Sequence, residues 1–154
     1  LLLARALQIF MPGKPQVWYL DLFAGSNDYE AVKRAGAGGH KEINRTNFTQ
    51  KDIQSGLEKE VVKKQLEMLK FRKEFPAFGF DAEMEIRTKP AAQISAQAEN
   101  ALQFAKIPDE QMYNRIYITW KKDGYLARLS ADLKAHTYRI QALDPFGNLI
   151  WQMF

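Results

Sequence analysis

The chain has 154 residues, with 22 Lys+Arg against 18 Asp+Glu, two His and no Cys. A hydrophobic fraction of 46% is enough for a core, which excludes wholesale disorder, and the length suits one domain or two small pieces sharing a surface. Without Cys there is no disulfide framework, thiolate zinc site or cysteine nucleophile, and the mixed net charge of +4 does not call for nucleic acid.

The first ten residues carry apolar side chains at positions 3, 7 and 10 and read as an amphipathic helix. They lack a basic lead-in and a small-x-small site, so they do not read as a cleavable leader. A start at Leu1, inside an uncapped helix, is expected of a piece cut from a larger protein. No apolar run approaches the ~20 residues of a bilayer span, so no membrane is involved and a cytoplasmic location is expected.

Pro12-Gly13-Lys14-Pro15 stops this helix. Gln16 to Phe23 is nearly unbroken apolar sequence and reads as a strand buried on both faces, the pattern of a parallel sheet. No other strand of that kind lies nearby, so its neighbours are expected elsewhere. Tyr29 to Ala35 reads as a short helix, and Gly36-Ala37-Gly38-Gly39-His40 as loop. Thr49 is an N-cap candidate with Asp52 in the capping-box position. One helical turn should follow over Gln50 to Ser55, broken by Gly56. Val61 to Phe75 is the strongest helix, with Val62, Leu66, Leu69 and Phe71 on its apolar side.

Beyond Gly79 the period changes to two. Asp81 to Arg87 alternates as a half-buried strand, and Pro90 to Ala105 reads as an Ala- and Gln-rich insert, partly helical. Arg115–Trp120 and Tyr125–Leu129 flank Lys121-Lys122-Asp123-Gly124, a hairpin signal. Thr137–Leu143 and Asn148–Phe154 flank Asp144-Pro145-Phe146-Gly147, a second hairpin. The fold class is therefore α+β. Residues 1–78 are mostly helical, and residues 79–154 form an antiparallel β-sheet domain.

Little of the sequence announces chemistry. His40 and His136 are far apart without acidic or Cys partners at ligand spacing, so no metal site is expected. No phosphate-cradling or dinucleotide motif is present, no cofactor is expected, and no carboxylate pair can be placed face to face. The lysines of 59–73 are interleaved with Glu and read as a solvated helix face. The loaded segment is His40-Lys41-Glu42-Ile43-Asn44-Arg45-Thr46, in which Arg45 offers a planar fork for hydroxyl or carboxylate recognition.

Pro12-Gly13-Lys14-Pro15-Gln16-Val17-Trp18-Tyr19 resembles the Pro-Gly-x-Pro-x-Val/Ile-Tyr-Tyr stretch of the alpha-amylase superfamily. The continuation Leu22-Phe23-Ala24-Gly25-Ser26-Asn27-Asp28, then Glu42-Ile43-Asn44-Arg45, is similar to the sucrose phosphorylase family, as are Val61-Val62-Lys63 and Phe71-Arg72. Lys73 replaces that family's usual Asn. Trp18-Tyr19-Leu20-Asp21 and Ile43-Asn44-Arg45-Thr46 depart from the sucrose phosphorylase pattern, and with His40-Lys41-Glu42 they look more like the glucosylglycerate phosphorylase branch.

The resemblance implies the last helix–strand–helix of a (β/α)8 barrel, with residues 16–23 as its eighth strand, followed by a sheet domain. It implies retaining phosphorolysis of a glucoside by inorganic phosphate. Arg45 would bind glucose; Asp21, at the end of the expected strand, is a weaker substrate-binding candidate. The catalytic carboxylates would lie on earlier barrel strands, so no catalytic residue is expected here, and exposed barrel surfaces would favour a homo-oligomer. Two other readings stand beside this one. One is a stand-alone sheet module binding sugar or protein through Tyr117, Trp120 and Tyr125, and the other is a basic nucleic-acid binder.

Overall fold

The computed structural model describes residues 1–88 and 114–154. The chain groups into two compact units, one of Leu3–Pro12 and Phe71–Phe154, the other of Gly13–Lys70. The expected insert 90–105 lies outside the described residues.

The first unit is built on a five-stranded antiparallel sheet in chain order, β1 (Glu83–Arg87), β2 (Arg115–Lys122), β3 (Tyr125–Asp132), β4 (Thr137–Leu143) and β5 (Leu149–Met153). The hairpin of β2 and β3 closes at the Lys122–Tyr125 pair. Asp123 and Gly124 both take positive φ, 49° and 80°, which matches the right-handed strand twist across a two-residue turn. The second hairpin is fixed by Asp144, whose Oδ1 accepts the amides of Phe146 and Asn148 at 2.9 and 2.8 Å. Period-two alternation sends Ile118, Trp120, Ala127, Leu129, Ala131, Ile140, Ala142 and Met153 to one face, where all are buried.

Helix α1 (Leu2–Phe10) belongs to this unit through Leu3–Pro12. Its buried positions are Arg5, Ala6, Ile9 and Phe10, a face rotated from the expected 3, 7 and 10, of which only Phe10 is fully covered. The indole Nε1 of Trp120 donates to the Phe10 carbonyl at 2.8 Å. That bond satisfies two groups at once, a buried indole and a carbonyl at the open end of a helix. Around it the rings of Phe10, Phe71, Phe75, Phe78, Trp120 and Trp151 form a connected cluster. Within it Phe71 stacks on Trp151 at 4.3 Å and Phe10 meets Phe78 edge-on at 5.4 Å. The Arg72 guanidinium lies 4.3 Å from the Phe78 ring centre and 4.7 Å from that of Trp120, and burial lowers its pKa from the ordinary guanidinium value.

The second unit carries α2 (Tyr19–Leu22), α3 (Tyr29–Ala35), a 3-10 turn at Gly39–Glu42, and α4 (Gln50–Glu58). Helix α5 (Glu60–Glu74) starts in this unit and passes into the first at Phe71. The strand expected over 16–23 is not formed. Tyr19–Leu22 is one helical turn, and of residues 16–23 only Leu20 is buried. The reason is the ladder. A buried strand needs neighbours for its N–H and C=O groups, and among the described residues every strand belongs to β1–β5. The segment therefore closes its bonds locally, Leu22 N–H to Trp18 O and Phe23 N–H to Tyr19 O, both at 3.0 Å.

Two further expectations are corrected in this unit. Helix α4 runs through Gly56 to Glu58, because the missing Cβ admits the Phe23 ring; a Cβ there would lie 2.7 Å from Phe23 Cδ1. On α5 the buried positions are Val62, Gln65, Met68 and Phe71, while Leu66 is exposed. The capping box of Thr49 and Asp52 forms as the sequence implies.

Leu129 is fully buried on the central strand β3. Leu129→Ala is expected to destabilise the sheet unit by about 2–5 kcal/mol, read as a lowered thermal unfolding midpoint.

Candidate functional site

The segment 18–48 holds both sequence-predicted site residues, and it is fixed by side chains that reach main-chain carbonyls. Trp18 Nε1 donates to Asn44 O at 2.8 Å, and the Tyr19 hydroxyl to Thr46 O at 3.0 Å. Thr46 Oγ1 returns to Ser26 O at 3.1 Å, and the Asp28 amide donates to Ile43 O at 2.8 Å. Two strands of loop, 26–28 and 43–46, are thereby tied together. Beneath them Phe48 meets Tyr19 and Phe23 edge-on, each at 5.6 Å.

The turn that follows α2 is held from α4 and α5. Gln65 Nε2 donates to the carbonyls of Asp21 and Leu22 at 3.2 and 3.0 Å, and Lys59 Nζ to that of Phe23 at 3.2 Å. These carbonyls lie at the end of a single helical turn, where the Asp21 carbonyl also accepts the Ala24 amide at 3.2 Å. Gly25 is a steric requirement, since a Cβ there would lie 2.4 Å from Leu20 Cδ1 and 3.0 Å from Phe48 Cζ. Asp28 caps α3 by accepting the Ala31 amide at 2.8 Å.

Arg45 follows the 3-10 turn. Its amide donates to Glu42 O at 3.2 Å, and its Nη1 lies 3.0 Å from Glu42 Oε1. The Arg45 side chain is 52% exposed. An exposed pair of this kind adds little stability and can exchange for a ligand. Asp21 is also exposed. Among the described residues no hydrogen bond or ion pair joins it to Arg45; its main-chain carbonyl, through Gln65, is what ties it to the site.

The other candidates separate. His40 and His136 are both exposed, and among the described residues no group of three His, Asp or Glu is placed to hold a metal. The surface expected of Tyr117, Trp120 and Tyr125 is not assembled. Tyr117 and Trp120 point to opposite faces of β2, Trp120 is buried, and Tyr125 packs edge-on against Phe75 at 5.8 Å. Sequence reasoning missed Trp18, Tyr19, Lys59 and Gln65 as the residues that shape the loop. Gln65 carried a signal: an amide in the apolar stripe of α5 must find backbone partners once buried.

Comparison with known proteins decides the relationship. No protein-family model matches the chain. It is 46% identical over 130 residues to the sucrose 6(F)-phosphate phosphorylase of Ilumatobacter coccineus, covering 84% of this chain and 24% of that protein. The same-named protein of Thermoanaerobacterium thermosaccharolyticum is 36% identical, over 95% of this chain and 25% of the relative. The crystal structure of sucrose 6F-phosphate phosphorylase from Thermoanaerobacter thermosaccharolyticum superposes on 99% of the chain and 26% of its own, with TM-score 0.72 and 33% identity. The chain corresponds to the C-terminal quarter of the sucrose phosphorylase family. It spans about a quarter of the length of the relatives it matches. Among the described residues no helix is long and apolar enough to cross a membrane.

Helix α4, which carries Lys59 at its C-cap and Gly56 against Phe23, is capped through a titratable carboxyl. Thr49 donates to Asp52 from both its hydroxyl and its amide, which holds the Asp52 carboxyl below its ordinary value. A depressed folded pKa stabilises above the unfolded value and is lost as pH falls through the folded one. Acid titration by circular dichroism should therefore show helix loss below the ordinary carboxylate range, and Asp52→Asn should remove that component.

Proposed function

We propose that this chain is the C-terminal part of a retaining glucoside phosphorylase, in which residues 1–78 close a (β/α)8 barrel and 79–154 form an appended sheet domain. The observation that carries the proposal is the loop of Arg45, pinned at the carbonyls on both sides while its side chain stays half-exposed in a surface pair with Glu42. In a (β/α)8 barrel such a loop after the last strand faces the active site. Arg45 would donate two or more N–H bonds to hydroxyls of the transferred glucosyl group. Asp21 is a secondary candidate ligand near the same turn.

The chemistry would be double displacement. A carboxylate attacks the anomeric carbon while a second carboxyl protonates the departing oxygen; phosphate then attacks the glucosyl–enzyme, breaks its ester bond and leaves as glucose 1-phosphate. By the family resemblance those carboxylates come from earlier barrel strands, so the contribution of this chain is to bind and orient, without a metal or cofactor. The names of the two relatives support sucrose 6F-phosphate as the donor. His40-Lys41-Glu42 favours glucosylglycerate as the competing donor. We place the protein in the cytoplasm and expect the longer protein to self-associate.

The purified 154-residue chain is expected to release no glucose 1-phosphate from sucrose, sucrose 6F-phosphate or glucosylglycerate with phosphate. The longer protein is expected to do so with one of these donors, and Arg45→Ala to raise its KM for that donor at least tenfold. Release by the short chain, or an unchanged KM in Arg45→Ala, would contradict the proposal.

A further inference from the structure

We propose that Trp18 and Tyr19 are positioning residues for Arg45, two adjacent side chains that grip the carbonyls of the residues on either side of it. This rests on the reading of Arg45 as a glucosyl ligand. Trp18 takes the carbonyl of Asn44 and Tyr19 that of Thr46, at 2.8 and 3.0 Å. The carbonyl one residue earlier, on Ile43, is held by the Asp28 amide, and the Arg45 amide is bonded to Glu42 O. Four consecutive residues, 43 to 46, thus have their backbone fixed from outside or by the turn before them.

The side chain of Arg45 is treated differently. Its ion pair with Glu42 is exposed. A rigid main chain with an exchangeable side chain is what a preorganised ligand arm requires, because the entropy of ordering the loop has been spent before the ligand arrives.

Trp18 supports this assignment by its own position. It is 45% exposed, so its ring is not a core anchor, yet its Nε1 finds a partner 26 residues along the chain. Its ring lies 4.9 Å from that of Tyr19, and Tyr19 in turn rests edge-on against Phe48. The two donors are therefore held at a fixed spacing. Phenylalanine at position 19 keeps the ring and removes only the hydroxyl, and at position 18 it puts a smaller ring without an N–H donor in place of the indole.

The experiment uses Trp18→Phe and Tyr19→Phe in the 154-residue chain. Trypsin cleaves after Arg45 when the loop opens, and cleavage after Lys134, exposed in the β3–β4 turn of the other unit, serves as the internal reference. Each substitution should speed cleavage at Arg45 about fivefold, the factor for one lost hydrogen bond, with Lys134 unaffected. Equal rates at Arg45, or the same acceleration at both sites, would overturn the proposal. Should Trp18→Phe fail to fold, Tyr19→Phe, which removes a single oxygen, decides alone.

In the longer protein the same substitutions should raise KM for the glucosyl donor severalfold with a smaller change in kcat, whereas a merely structural defect lowers kcat by loss of active protein. An unchanged KM would overturn the positioning role. An Arg45→Ala variant with unchanged KM, alongside accelerated cleavage in Trp18→Phe, would instead sink the reading of Arg45 as a ligand and leave the grip on its loop intact.

Discussion

The second unit depends on one constraint: main-chain carbonyls that no sheet can serve must be met by side chains. Gln65 serves Asp21 and Leu22, Lys59 serves Phe23, Trp18 serves Asn44 and Tyr19 serves Thr46. Each of these bonds spans at least 26 residues of sequence, so together they tie distant stretches of the unit to one another without a strand ladder. Each such bond contributes about 0.5–1.5 kcal/mol net, and losing one would loosen the loop that carries Arg45.

The sheet unit solves a different problem. Its hydrogen bonds are met by strand pairing, and what it lacks is cover for one face. The ring cluster of Phe10, Phe71, Phe75, Phe78, Trp120 and Trp151 supplies it, and the bond from Trp120 to the Phe10 carbonyl ties α1 to the sheet across 110 residues. Rigidity in one unit comes from packing, and in the other from polar anchoring.

The hairpins were legible because turn chemistry is local. Asp123-Gly124 needs two positive φ angles and has the residues that accept them, and Asp144 has amide partners within four residues. The capping box of Thr49 and Asp52 was legible for the same reason. Residues 16–23 misled because an apolar run describes a buried environment without supplying the neighbours that make a strand. On α5 the sequence favoured Leu66, but Gln65 is buried because two carbonyls needed its amide. Arg45 stood out as a planar fork in a polar loop, and the family resemblance supplied its role. Trp18 and Tyr19 left no pattern, since a bond from a side chain to a distant carbonyl follows no periodicity.

The most direct test is a crystal structure of the longer protein with glucose bound. The Arg45 guanidinium should lie within hydrogen-bond distance of a glucose hydroxyl, released from Glu42, with Trp18 and Tyr19 still holding the carbonyls of Asn44 and Thr46. Glucose bound without Arg45, the guanidinium remaining on Glu42, would contradict the central claim.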